Sequence, residues 1–143
     1  MNRQFTNTST APLLSVRDLT VTFPSEAGNV RAVRGVDFDA HPGKTLCIVG
    51  ESGSGKSVTS MAVMGLLPDY AKVTGSVTLN GEELLGKSDR EMSSLRGKEL
   101  SMIFQDPLTA LTPVFSIGDQ LVEAIQAHRS LSRNCLLYTS PSP

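Results

Sequence analysis

The chain has 143 residues, a length suited to one compact domain rather than several. Thirteen Lys plus Arg against fourteen Asp plus Glu give a net charge of −1 with no block of like charge, which excludes a general nucleic-acid-binding stripe. Hydrophobic residues make up 39% and charged residues 19%, so a globular chain is expected; Cys47 and Cys135 match neither a metal-ligand spacing nor a disulfide framework, as in a reducing compartment.

Residues 1–12, rich in Thr, Ser and Asn, read as a flexible leader without the apolar stretch of a signal peptide. No run approaches the roughly 18 apolar residues of a membrane-spanning helix, so action at a membrane would require docking onto another subunit. Apolar residues then alternate at Leu14, Val16, Leu19, Val21 and Phe23, with one change of phase at Arg17 and Asp18. After the turn-forming PSEAGN, a second alternating run takes in Val30, Ala32, Val33, Val36 and Phe38, and His41-Pro42-Gly43 closes an antiparallel hairpin.

Thr45 to Val49, a continuous apolar run between glycines, has the pattern of a strand buried on both faces of a mainly parallel sheet. It leads into GESGSGKS and then into a segment, Lys56 to Leu67, that is apolar nearly all round and reads as a buried helix ended by Pro68. SVTL, Asn80-Gly81 and EELL predict a second hairpin on a type I′ turn. Ser88 and Glu91 have capping-box spacing for a short helix through Leu95, broken at Gly97. A further apolar strand ends at Phe104 and is followed by the loop QDPLTALTP. Ser116 and Asp119 then cap a last helix with the apolar stripe Ile117, Leu121, Val122 and Ile125.

Gly50, Gly55, Lys56 and Ser57 fit G-x-x-x-x-G-K-[ST] between a predicted strand and a helix N-terminus, the context a phosphate loop requires. Glycines let consecutive N–H groups turn inward around phosphate oxygens, and the first-turn amides and dipole of the helix add attraction for an anion. Lys56 would reach the β and γ phosphates and the Ser57 hydroxyl would ligate Mg²⁺. The same element serves GTPases, kinases, helicases and transport ATPases, so it does not by itself choose among them.

The choice comes from the flanking text. VRAVRGVDF (30–38), IVGESGSGKSVTSMAVMGLLP (48–68) and MIFQDPLTALTPVFSIGDQL (102–121) together resemble the nucleotide-binding domain of ABC transporters, in particular the ATP-binding subunits of dipeptide, oligopeptide, nickel and glutathione importers. That resemblance implies an α/β P-loop NTPase fold with an antiparallel β subdomain and part of a RecA-like parallel sheet, spanning residues 13–132 and stopping before the signature motif. ATP and Mg²⁺ are the implied cofactors, held by Gly50, Glu51, Ser52, Gly53, Ser54, Gly55, Lys56, Ser57 and Val58. Gln105, ending the strand before the loop, would contact Mg²⁺ and the attacking water, so the implied catalytic pair is Lys56 with Gln105 and the implied metal pair Ser57 with Gln105. Phe23 matches the aromatic that stacks on adenine, although it equally fits the apolar alternation of the hairpin.

Implied partners are transmembrane permease subunits, a second ATP-binding subunit packed head to tail and, indirectly, a solute-binding protein; nucleic acid is not among them. The implied location is the cytoplasmic face of the bacterial cell membrane. Thr112 departs from the Asn of many peptide importers, and neither LSGGQ, an apolar run ending in Asp-Glu, nor a switch histidine occurs in the 143 residues. RNCLLYTSPSP, at the end, falls outside the resemblance, and residues 133–143 read as a non-family tail. The expectation is the N-terminal part of an importer ATPase. The competing readings are a nucleotide-binding fragment without turnover and another P-loop enzyme, such as a small-molecule kinase.

Overall fold

The computed structural model describes residues 11–26, 28–106 and 111–128. Most of the expected leader, the centre of the 105–113 loop and the tail with Cys135 lie outside the described residues. The chain divides into two compact units, Met1–Met92 and Ser93–Pro143.

The first unit is built on a four-stranded antiparallel sheet in the order β2-β1-β3-β4, from β1 (Leu14–Phe23), β2 (Val30–Ala40), β3 (Lys72–Leu79) and β4 (Glu82–Glu83). Period-two patterning puts Val16, Leu19, Val21 and Val77 on one face, where all four are fully buried. The change of phase at Arg17 and Asp18 is a bulge: the pairing jumps from Val16↔Phe38 to Leu19↔Val36 on one side and from Arg17↔Ser76 to Thr20↔Thr74 on the other. Asp18 there has φ 44, and its N–H donates to Asp37 Oδ1 at 2.9 Å. Without that extra residue, Leu19 and Val21 would face away from Val16.

Asn80 and Gly81 have φ of 51 and 83, the left-handed pair of a type I′ turn. The turn brings Glu82 opposite Leu79 and Glu83 opposite Thr78. At the end of β2, Lys44 N–H donates to the His41 carbonyl and Gly43 takes φ 67, closing the expected turn.

Helix α1 (Lys56–Val63) is shorter than its apolar text predicts. Gly65, at φ 62, ends it four residues before Leu67 by donating its N–H to the Ala62 carbonyl while Leu66 N–H reaches the Met61 carbonyl. This is a Schellman cap, which a glycine able to turn left-handed makes without waiting for Pro68. Burial is on one side only: Thr59, Ala62, Val63 and Met64 are buried, whereas Val58, Met61, Leu66 and Leu67 are half-buried.

The two strands expected of a parallel sheet do not form. Residues 45–49 run without a ladder and lie exposed, with Val49 91% accessible; residues 101–104 likewise join no strand, and Ile103 is 95% accessible. Leu100 forms an isolated bridge to Arg96 rather than a ladder. A parallel strand needs a neighbour on its hydrogen-bonding edges, and no described segment pairs with either run.

Helix α2 (Asp89–Leu95) opens on the expected capping box: Ser88 N–H donates to Glu91 Oε2 at 2.8 Å and Glu91 N–H to Ser88 Oγ at 3.4 Å. In the second unit, Gly97 turns the chain after α2 at φ 79. Helix α3 (Ile117–Gln126) is capped by Ser116, whose Oγ accepts from Asp119 N–H at 3.1 Å. Its apolar stripe is only partly covered: Val122 is buried and Ile125 half-buried, while Ile117 and Leu121 remain exposed.

Candidate phosphate-binding loop

The loop from Gly50 to Ser57 delivers the chain directly into α1. Gly53 and Gly55 have φ of 78 and 91, angles at which the loop curls back on itself and which a residue with a Cβ adopts only under strain. Gly55 is also the N-cap of α1 and lies so close to β2 that a Cβ would stand 2.5 Å from the Ala32 carbonyl oxygen. A Cβ on Gly50 would fall 2.6 Å from Ser54 Oγ. The cradle is therefore small because its residues are small, and β2 supports it from beneath.

Lys56, half-buried, turns its ammonium into this cradle, donating to the Gly50 carbonyl at 2.7 Å, the Glu51 carbonyl at 2.6 Å and Ser54 Oγ at 3.4 Å. A positive charge is thus held within the loop by the loop's own oxygens. The amides of Lys56, Ser57 and Val58 open the helix and have no acceptor four residues back within it, so the positive end of α1 faces the same place. Ser57 is exposed at this end and Val58 half-buried behind it. Thr59 anchors the turn, its buried hydroxyl donating to the Gly55 carbonyl at 2.9 Å. Glu51, Ser52, Gly53 and Ser54 are all exposed.

A groove of about 530 Å³ runs between the loop and the open edge of β2, lined by Val30, Ala32, Val33, Gly53, Ser54 and Thr59, with Arg31, Arg34 and Val36 completing it. Phe23 is the register partner of Val30 and packs edge-on against Tyr70, with ring centroids 6.3 Å apart at 61°. It is half-buried, and its partner Val30 lines the groove. Sequence patterning left Phe23 between two roles, read Val30 and Ala32 only as part of an alternating strand, and did not single out Tyr70. Only the strand register brings positions 23 and 30 together.

Gln105 belongs to the second unit, where it is exposed just beyond the extended run 101–104. Among the described residues no group of three His, Cys, Asp or Glu side chains could hold a metal ion. A Mg²⁺ ion bound chiefly through phosphate oxygens and water needs no such group, and one hydroxyl such as that of Ser57 suits it.

A glycine cradle, an inward lysine and a helix opened by the same loop define a nucleotide-binding protein of the P-loop type. The ABC transporter family profile matches residues 33–139, and the chain belongs to that family. It is 56% identical over 119 residues to an oligopeptide transport ATP-binding protein of Mycobacterium tuberculosis, covering 83% of this chain and 19% of that protein. Identity is 54% over 123 residues with a dipeptide transport ATP-binding protein of Bacillus subtilis (85% and 37%), and 49% over 121 residues with an oligopeptide transport ATP-binding protein of Salmonella typhimurium (85% and 36%). The chain thus spans little more than a third of the length of these relatives, or less. Two solved structures share the fold: a dimeric bacterial ABC transporter cassette, at TM-score 0.70 and 21% identity over 83% of this chain and 50% of that one, and a post-hydrolysis cassette bound to ADP and Pi, at 0.68 and 20% over 87% and 54%. The fold is accordingly that of an α/β ABC ATPase cassette, present here through its antiparallel sheet, phosphate loop and flanking helices.

Proposed function

We propose that the chain is the MgATP-binding part of an ATPase subunit that powers import of dipeptides or oligopeptides. The observation that carries this reading is the inward Lys56 ammonium, held by loop carbonyls beside a Gly55 that leaves no room for a Cβ against β2. The phosphate chain of ATP supplies the transferable γ-phosphoryl group and, with it, Mg²⁺. Lys56 exchanges its carbonyl contacts for phosphate oxygens, the α1 amides share the remaining charge, and the Ser57 hydroxyl offers a metal ligand. The groove beside β2 suits the ribose and base, with Phe23 at its margin. Phosphoryl transfer depends mainly on positioning and charge stabilisation, which these groups supply.

Peptide as the solute is supported by the names of the relatives, two of them oligopeptide and one dipeptide transport proteins. Permease subunits, a head-to-tail ATPase partner and a position at the cytoplasmic membrane face belong to the same proposal. No described helix is long and apolar enough to cross a membrane, so contact with the bilayer would come through partner subunits. Gln105 would link nucleotide state to those subunits.

The test is Lys56→Ala in the full-length protein. Loss of this charge contact should lower ATP hydrolysis by about 3 to 4 kcal/mol of transition-state stabilisation, a hundredfold or more, with the circular dichroism spectrum unchanged. Turnover near the parent rate would remove the loop from catalysis.

A further inference from the structure

We propose that the outer face of the antiparallel sheet carries a second anion site that takes the phosphate group of a small soluble ligand. The register lays a transverse row, Arg31–Thr22–Lys72, across β2, β1 and β3, and Thr20 stands opposite Thr74 in the next row. Because Leu19 and Val21 face the core, Thr20 and Thr22 face the other way, beneath Arg31 and Lys72. These residues, with Asn29, line a hollow of about 570 Å³.

Among the described residues, every lining side chain is a cation, a hydroxyl or an amide, and none is a carboxylate. Neither cation takes part in the ion pairs Arg17–Asp39 and Lys87–Glu82. The strands that bear them lie two spacings apart, roughly 10 Å, so both long side chains reach one group placed over Thr22. Thr20 and Thr74 hydroxyls, 2.8 Å apart, are bonded to each other and keep the floor polar and closed. Charge complementarity selects an oxyanion, and a guanidinium, an ammonium and hydroxyls together suit the several oxygens of a phosphate ester. Concavity and volume select a small ligand over a bilayer surface, which needs a flat or protruding basic patch. The hollow is separate from the phosphate loop: Gly53 and Ser54 line the other groove, and among the described residues only Arg31 borders both.

The experiment uses the full-length protein saturated with Mg²⁺ and a non-hydrolysable ATP analogue, so that the phosphate loop is filled. Phenyl phosphate is titrated and the amide resonances of Thr20, Thr22 and Thr74 are followed. Saturable shifts at these amides are expected, with a dissociation constant raised about tenfold or more in Lys72→Gln and restored in Lys72→Arg. Absence of saturable shifts, or equal affinity in Lys72→Gln, overturns the site. So does Lys72-dependent binding to phosphatidylglycerol vesicles without phenyl phosphate binding, which would make the face a membrane contact. Failure here leaves the Lys56 test untouched, because that test reads ATP hydrolysis.

Discussion

Ser57 occupies the second position of α1 and is exposed where the helix meets the loop. Removing the hydroxyl takes away the proposed metal ligand while leaving the loop amides and Lys56 in place. Ser57→Ala is therefore expected to raise the Mg²⁺ concentration for half-maximal ATP hydrolysis by about tenfold, the scale of losing a group that supports a metal site. Metal-free ATP affinity should not change; an unaltered Mg²⁺ titration would remove Ser57 from the metal shell. Arg31 illustrates the opposite case at this scale. Nothing in VRAV distinguishes it, yet pairing across Thr22 to Lys72 makes it half of a charged row.

At the scale of elements, the β1 bulge depends on Gly75 in the facing strand. Gly75 has φ 111, and a Cβ there would meet the Asp18 and Arg17 carbonyl oxygens at 2.5 and 2.6 Å. Backbone atoms cannot rotate aside as a side chain can, so Gly75→Ala should destabilise the full-length protein by about 2 to 4 kcal/mol, seen as a lowered thermal midpoint. An unchanged midpoint would mean the bulge has an alternative register. The β3–β4 hairpin has its own lock. Burial pushes the Glu83 carboxyl up, but bonds from Ser76 Oγ and from the Val77, Leu85 and Leu84 amides outweigh it and hold the group below the ordinary value of 4.5. Its contribution is complete above the unfolded-state value and disappears as pH falls through the lower folded-state value. Glu83→Gln should therefore accelerate amide exchange at Val77 and Leu85 near neutral pH, with the gap from the parent closing in acid. A gap independent of pH would show that shape, not charge, secures the hairpin.

For the whole molecule, the decisive feature is the apolar text that stays uncovered. Leu46, Ile48, Val49, Ile103 and Phe104 all lie exposed in two runs without ladder partners. Unpaired edges and exposed apolar side chains favour association over folding. Residues 1–143 expressed alone are thus expected to give no cooperative thermal transition and no specific ATP hydrolysis. Bound MgATP at a hundred times its dissociation constant would add only about 2.7 kcal/mol. A sharp transition with Lys56-dependent turnover from this chain would refute the expectation.

Local chemistry was legible in the amino-acid order because each signal acts within a few residues. The Asn80-Gly81 turn, the Ser88–Glu91 and Ser116–Asp119 caps, the alternation of β1 with its break at Arg17 and Asp18, and the glycine loop ending in Lys56 all depend on backbone angles or bonds between near neighbours. The end of α1 was read too late, at Pro68, whereas the left-handed Gly65 closes the helix at Val63. What tertiary structure alone decided was which apolar runs find partners. Thr45 to Val49 reads as a doubly buried strand, but a strand is defined by its neighbours, and apolar text cannot supply them. Phe23 beside Val30, and Arg31 and Lys72 flanking Thr22, likewise come from pairing across the sheet, where residues distant in sequence are brought within hydrogen-bonding register.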